Sequence, residues 1–573
     1  MFGRGEVLVR GRVGLVSGVW VSLVFVAVFG VVLNVPVVRG SGTIYIRADG
    51  SIDPPTANIT SADNVTYTFN DNIYDEFVVE KSDIIIDGKG HVLQGSGLGK
   101  GFSICNVSNV TIRNSSIEGF TYGLYYNSTS FNVFSGNNVF NNGVGVWLES
   151  SFDNVLSNNN ITSNGASGFG DGIWLASSSN NTIQENNIIG NQYAGVWCDS
   201  SSNNDLCGNN ITNNKYGIYV YESSYTNIFD NYIASHYWDG VKLVCSSYDT
   251  ICGNNITNSG WGDLNGGGIW LYLSPFNNIS SNMVTDNYCG IVFEGPFPSS
   301  NNTICENDIL NNGYGITVSG SCNAISENNI LNNGDYGIYI VGSNNTISRN
   351  NLLNNAVGIR LEYSLNNLFY HNNLINNTSV QASVSLGYVA MWDDGYPSGG
   401  NYWSDYSGLD LFVGVYQNET GSDGIGDTPY VIDTNNQDHY PLMKPWIPGF
   451  PIAYFSYSPK FPPVDESVTF NASASYDYEG SILNYTWNFG DDNLTTVTTP
   501  ITTHIYTAEG IYIVNLTVTD NDGLSRSITK SVTVIPEFPS AIILPLFIAL
   551  TILTTILTKT NINRQRRNRQ QGY

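Results

Sequence analysis

The sequence predicts an all-β protein built mainly as a parallel β-helix, and three observations predict it. First, an asparagine stands two residues before an aliphatic side chain in eleven successive segments. These are Asn137, Asn159, Asn186, Asn209, Asn231, Asn254, Asn282, Asn307, Asn328, Asn350 and Asn372. The steps run from 21 to 28 residues, most of them 22 or 23, and such a period without helical patterning marks a stacked solenoid. Second, the apolar runs between the marks are only three to five residues long and alternate in and out, as strands do. Third, a second column repeats the spacing at Asn142, Asn164, Asn191, Asn214, Asn287, Asn312, Asn333, Asn355 and Asn377, broken by His236 and Ser259.

One unit reads Asn-Asn-Thr-Ile-Ser-Arg-Asn-Asn-Leu-Leu-Asn-Asn-Ala-Val-Gly-Ile-Arg-Leu-Glu over residues 344–362. Two short strands are separated by Asn pairs, and a third follows a glycine. Asparagine tolerates the left-handed backbone of sharp corners, so the repeated Asn is expected there. Stacked amides can also hydrogen-bond from coil to coil. Strand spacing then makes the stack from Asn109 to Asn377 a rod roughly 55–60 Å long. One coil cannot bury its own apolar face, so the ends need caps.

The elements follow in order. Arg4, Arg10 and Arg12 precede an apolar stretch from Val13 to Val38, which reads as an export signal over residues 1–40, with a retained membrane anchor as the alternative because the stretch is long enough to span. Residues 43–108 form an N-terminal cap and the first coils, 109–390 the repeats, and 391–445 a closing segment. Residues 450–535 change character: Thr and Val alternate, Asn fades and Pro clusters near 459–463. An apolar run at 541–557 reads as a transmembrane helix, followed by a basic cytoplasmic tail at 558–573 with Lys559, Arg564, Arg566, Arg567 and Arg569.

The chain of 573 residues bears a formal net charge of −26; its two terminal segments carry +3 and +5, leaving −34 on the part between. Such a surface repels nucleic acid and anionic membranes and suits neutral sugars, bound cations or high salt. The eight cysteines all lie in the solenoid and none forms a Cys-x-x-Cys pair. They read as buried packing residues, with a disulfide between neighbouring coils as the alternative.

Three segments carry family resemblances. The strand and turn Asp83-Ile84-Ile85-Ile86-Asp87-Gly88-Lys89-Gly90-His91, with the Asn-Asn repeats, resembles the NosD-like right-handed β-helix proteins. That group shares repeats with carbohydrate-binding and sugar-hydrolase solenoids. Gly400-Asn401-Tyr402-Trp403-Ser404-Asp405-Tyr406, Asp423-Gly424-Ile425-Gly426-Asp427-Thr428-Pro429-Tyr430 and Tyr440-Pro441-Leu442 look like the family's C-terminal segment, so the likeness spans about residues 43–445. Trp487-Asn488-Phe489-Gly490-Asp491 and Val514-Asn515-Leu516-Thr517-Val518-Thr519-Asp520 are similar to PKD domains. These are immunoglobulin-like sandwiches that serve mostly as spacers or adhesive units; Asp492 stands where they usually carry Gly. Pro536-Glu537-Phe538-Pro539 before the apolar span looks like a PEF-type archaeal sorting signal.

Chemistry is sought on the strand after each glycine. Offsets +1 and +3 are aliphatic and point inward, so offset +2 points outward. It holds Tyr125, Trp147, Trp174, Trp197, Tyr219, Lys242, Trp270, Val292, Thr317, Tyr339 and Arg360. Six of the first seven coils thus carry an outward aromatic. A contiguous aromatic stripe suits the apolar faces of sugars, with acids such as Glu149 and Asp199 at offset +4 for hydroxyls. The alternatives are a covering loop, a surface-protein partner or simple strand packing. Two insertions containing Phe169, Asp171, Trp261 and Asp263 are expected to wall the stripe.

One coil departs from the repeat as His236-Tyr237-Trp238-Asp239-Gly240-Val241-Lys242. His236, Asp239 and Lys242 are the candidates for a lyase or hydrolase, because polysaccharide cleavage needs an acid or base beside the substrate groove. The NosD resemblance brings the name of copper delivery with it. Five His and four Met, with no His-x-His or Met-rich run, argue against that chemistry. Calcium is the cation for which the chain offers hard oxygens, at Asp423, Asp427, Asp433 and Asp438, with ordinary Asp-Gly turns as the alternative. Sequons at Asn484, Asn493 and Asn515 are candidates for glycosylation. The sequence therefore favours a surface-anchored protein that binds glycans or mediates adhesion; a polysaccharide lyase or hydrolase and a ligand-free surface-layer or stalk protein are the other classes.

Overall fold

The computed structural model describes residues 42–536 except 166–169, 261, 263–265, 296–298, 386, 397, 421–423, 447–450, 452, 454, 478–480 and 522. The expected export signal, transmembrane helix and basic tail lie outside the described residues, as do Phe169, Trp261, Asp263 and Asp423.

All regular elements among the described residues are strands. Three long parallel sheets of 16, 14 and 15 strands wind around one core, and each coil contributes one strand to each sheet. In the coil that contains the first repeated Asn the strands are Val133–Ser135, Asn138–Phe140 and Val144–Glu149. Like pairs with like: Trp147 is in register with Trp174, and Trp174 with Trp197. One inward isoleucine per coil, at Ile161, Ile188, Ile211, Ile233 and Ile256, stacks into a fully buried column. Each such side chain contributes roughly 1.5–3 kcal/mol through burial.

The polar columns hold the corners. Asn159 Oδ1 accepts both the backbone N–H of Asn137 (3.0 Å) and its side-chain Nδ2 (3.1 Å), and Asn159 makes the same two bonds to Asn186 at 3.0 and 2.9 Å. Every such amide is buried and satisfied, and loss of one strands donors in the core. The left-handed residue is not the ladder Asn, as expected from sequence, but the one before it: Asn158 (φ 56°), Arg349 (φ 58°) and His371 (φ 56°). The turn at that preceding residue is what swings the amide inward.

Two more columns complete the scaffold. Asn132, Asn154, Asn181 and Asn204 form a third amide ladder, resumed at Asn277, Asn302, Asn323, Asn345 and Asn367. Ser151, Ser178, Ser201, Ser223, Ser246 and Ser274 form a hydroxyl ladder, each Oγ accepting the N–H of the coil before. The glycine before each strand of the first sheet is required by close approach. A Cβ on Gly172 would meet the Gly195 carbonyl oxygen at 2.6 Å.

The stack is closed at both ends. Thr43–Ile46 pairs antiparallel with Ile52–Asp53, which covers an open sheet edge. At the other end the first Asn column runs on from Asn372 to Asn401 (2.8 Å) and stops at Asp438, whose Oδ2 accepts the Asn401 N–H (2.7 Å). Phe369 stacks on Trp392 and Trp403 on Tyr430, and the two pairs meet at a tilt of 49° at the end of the last coil. Beyond it, sheets of three and four antiparallel strands form the sandwich. Its core centres on Trp487, Phe470 and Tyr506.

Of the cysteines, Cys198 alone is buried; Cys245 and Cys322 are exposed, the rest half-buried, and all are free thiols. This corrects the packing expectation for most of them. Cys207 and Cys252 point to the sheet's outer side and are separated by the coil of Phe229.

Candidate functional site

The strand after each glycine builds one face of the solenoid. Tyr125, Trp147, Trp174, Trp197, Tyr219, Lys242 and Trp270 occupy successive in-register positions on it. The indoles of Trp147, Trp174 and Trp197 stack on one another at 5.0 Å with 7° between planes, and Tyr219 continues the stack at 5.8 Å and 9°. Their broad faces are therefore covered by each other. Their Nε1 groups are buried without a hydrogen-bond partner, so the outward edge of the stack is hydrocarbon. Tyr125 and Trp270 are themselves buried. Lys100 Nζ lies 3.4 Å from the Tyr125 ring centre, and Tyr125 donates its hydroxyl to Glu149. Asp199 stands in the same file as Glu149, half-buried, with one oxygen on the Ser200 hydroxyl (3.2 Å).

The face opens where the aromatic file breaks. Around Lys242 lies a groove of about 320 Å³ lined by Tyr216, Trp238, Asp239, Trp270, Tyr272 and Glu294 among others. Asp239 is nearly inaccessible to solvent. One oxygen accepts the Gly267 N–H at 2.8 Å and the other takes Lys242 Nζ at 3.0 Å. Burial raises the Asp239 pKa, and the Lys242 ammonium opposes that shift. The Lys242 ammonium also lies 5.4 Å from the Tyr216 ring and 5.2 Å from Trp270. One coil earlier, Lys215 Nζ sits 3.7 Å over the Trp238 ring. The arrangement offers apolar ring surface and an acid–base pair within a single groove, with a second ammonium against one of its walls.

The structure joins Asp239 to Lys242 but separates both from His236. His236 fills an Asn ladder position inside the coil: Nδ1 faces the Asn214 N–H at 3.3 Å and Nε2 the Ile211 carbonyl at 3.1 Å. Burial depresses its pKa to about 4, so the ring is neutral and structural, which corrects its grouping with the groove. Sequence reasoning passed over Lys215, Tyr216 and Tyr272 as site residues. Lys215 and Tyr216 lie before the glycine, in files that a count starting at the glycine leaves out.

The proposed oxygen ligands have other roles. Asp427 accepts the N–H groups of Leu411 and Phe412, Asp433 those of Asn435 and Asn436. Asp438 ends the Asn column and accepts the Trp403 indole N–H at 2.8 Å. No three His, Cys, Asp or Glu side chains converge on a metal position among the described residues.

Residues 56–238 and 238–408 match the family described as periplasmic copper-binding protein (NosD). The chain belongs to the NosD family. Residues 451–535 match the PKD domain. The chain is 44% identical over 71 residues to a microbial collagenase of Vibrio alginolyticus, a stretch covering 12% of this chain and 8% of the collagenase. It is 36% identical over 80 residues to collagenase ColA of Clostridium perfringens, 14% of this chain and 7% of that protein. It thus spans less than a tenth of the length of these relatives. Among solved structures it is similar to the PKD1 domain of Vibrio anguillarum Epp (29% identity, 15% of this chain, 95% of that chain, TM-score 0.14). It is also similar to a periplasmic alginate epimerase (14% identity, 61% and 84% covered, TM-score 0.31).

The donor set of this NosD-family chain does not fit copper, which needs soft or imidazole ligands gathered at one place. His236 is enclosed by backbone, and His371 stacks flat on Trp446 at 3.7 Å with Nε2 on the Ser398 carbonyl. His439 and His504 each face a single carboxylate, Asp393 and Asp491.

Proposed function

We propose that this NosD-family protein is exported and binds glycans in the groove around Lys242. The observation that carries the reading is the convergence of Tyr216, Trp238 and Trp270 on one cavity of about 320 Å³ whose floor is the Asp239–Lys242 pair. Binding sites for small ligands are concave, mostly apolar and supplied with a few fixed polar groups. Aromatic walls suit the C–H faces of pyranose rings, and the bridged acid and base suit hydroxyls. The hydrocarbon edge of the Trp147–Trp174–Trp197 stack extends the same face along the rod, so a chain ligand has a track beside the groove. The family's description as periplasmic supports export, and the apolar C-terminal run supports a membrane anchor.

A glycan array probed with the protein and with Trp238→Ala tests this. Binding that disappears or weakens at least tenfold in the variant is expected; equal binding by both proteins would discard the groove as the site.

One observation favours a second reading, a polysaccharide lyase or hydrolase. Burial holds the Asp239 carboxyl above its ordinary pKa in a groove that also contains Lys242 and Glu294. Release of reducing or unsaturated ends from a polysaccharide, abolished by Lys242→Ala, would establish it.

A further inference from the structure

Positive charge is scarce on this solenoid, and its placement is informative. Between Arg113 and Arg349 the chain carries eighteen acidic residues but only two basic ones, Lys215 and Lys242. Lys242 lines the groove, and Lys215 lies over the ring of Trp238, one of its walls. Lys215 Nζ is 3.7 Å over the Trp238 ring and 5.8 Å from Tyr193. Lys242 Nζ lies between the Tyr216 and Trp270 rings. Random placement of two cations over some ten coils would scatter them; here they stand on successive coils and touch aromatic walls of one cavity.

The two ammonium groups are not equivalent. Lys242 is matched by the buried Asp239 carboxylate at 3.0 Å. Among the described residues Lys215 has no carboxylate partner; its ammonium lies over the Trp238 indole, with the Tyr193 ring farther off. A cation–π contact positions an ammonium without using up its hydrogen-bond donors. The nearest groove acid other than Asp239 is Glu294, which stands three coils farther along, about 14 Å by strand spacing. The ammonium on the Trp238 wall is thus a positive spot on a strongly acidic rod.

We propose that the groove takes an acidic glycan, with the carboxylate or sulfate of one sugar unit received by Lys215 while its ring lies against Trp238. This inference rests on the glycan reading above and narrows it. A neutral sugar needs no ammonium, and a polyanion without sugar rings needs no aromatic walls. An anionic sugar uses both. The surrounding negative charge repels extended polyanions that lack the complementary contact, which sharpens selection for a ligand whose charge falls at Lys215.

The test is calorimetry on the full-length protein with three oligosaccharides of equal length: a neutral galactan, an oligogalacturonate and a sulfated galactan. The expected result is that one or both anionic chains bind at least tenfold tighter than the neutral one, with the preference falling as salt rises. The two anionic arms decide between carboxylate and sulfate. Lys215→Met keeps the aliphatic stem on Trp238 and removes the charge. It should erase the anionic preference, a loss of about tenfold or more for one charge-assisted hydrogen bond; Lys215→Arg should retain the preference. Equal affinity for neutral and charged chains, or a Lys215→Met protein with the preference intact, would overturn this inference and leave the glycan reading standing. Failure to bind any of the three, or any glycan on the array, would remove both.

Discussion

Asp249 accepts the backbone N–H of Thr226 at 2.8 Å, as the ladder asparagines do for the coil before them, but it has no amide to pass on. Its second oxygen is buried without a hydrogen-bond partner. Burial raises its pKa to about 8, so the carboxyl carries its proton through neutral pH. Thr226 and Asp249 are the two substitutions in the third amide column.

Asp249→Asn should restore that column and stabilise the protein by about 1–3 kcal/mol, the size of one rescued buried polar group. The sign with pH follows from linkage. The folded pKa lies above the ordinary 3.8, so the folded state holds more protons and wild-type stability falls as pH rises from about 4 to 8. Asp171 and Asp438, both pushed up to about 7 by burial, act in the same direction in both proteins. The variant's advantage, read from denaturant midpoints at pH 5 and pH 8, should therefore be larger at pH 8.

His236→Asn should be tolerated and should leave glycan binding unchanged, because the ring belongs to the interior ladder. The histidine's folded pKa, near 4, lies below its ordinary 6.5. The wild type thus loses stability as pH falls through that window, and the variant should resist acid better. Loss of binding in this variant would place the imidazole in the site after all.

Asn186→Ala should be costly. It removes the acceptor of the Asn159 N–H and Nδ2 groups and the donor to Asn209. A loss of roughly 2–4 kcal/mol is expected by chemical denaturation, against a smaller loss for the outward, half-buried Asn187→Ala, which gives up one bond to Asn160 and one from Asn210.

The indole stack should be visible spectroscopically. Rings of Trp147, Trp174 and Trp197 held 5.0 Å apart and nearly parallel should couple in circular dichroism. Trp174→Phe, at the centre, should abolish the couplet, whereas Trp487→Phe in the sandwich should leave it intact.

The sequence made the coils legible because the same amide must recur wherever a strand turns inward. It made the first two columns plain, since an aliphatic follows each mark at a fixed distance. The third column, Asn132 to Asn367, is hidden in the sequence because Thr226 and Asp249 interrupt it and many of its members, such as Asn181, Asn204, Asn302 and Asn345, fall inside Asn-Asn pairs. The outward direction of Trp147, Trp174 and Trp197 followed from strand alternation. That their faces cover each other did not, because ring tilt is set by packing between coils. Asp239 and Lys242 drew notice as departures from the repeat. His236 did as well, but a departure inside a ladder is a packing substitution, and its position in the column already said that it points inward. Asp438 looked like a cation ligand by composition and proved to be the terminus of a column that begins hundreds of residues earlier.

The handing-on of hydrogen bonds gives the rod an electrical direction. In each amide column the oxygens turn toward the amino-terminal end and the NH2 groups toward the carboxyl-terminal end, so the small dipoles add along the axis instead of cancelling. Asp438 stands where that sum is most positive. A whole coil can be gained or lost without disturbing this polarity, because every coil hands its bonds on in the same sense.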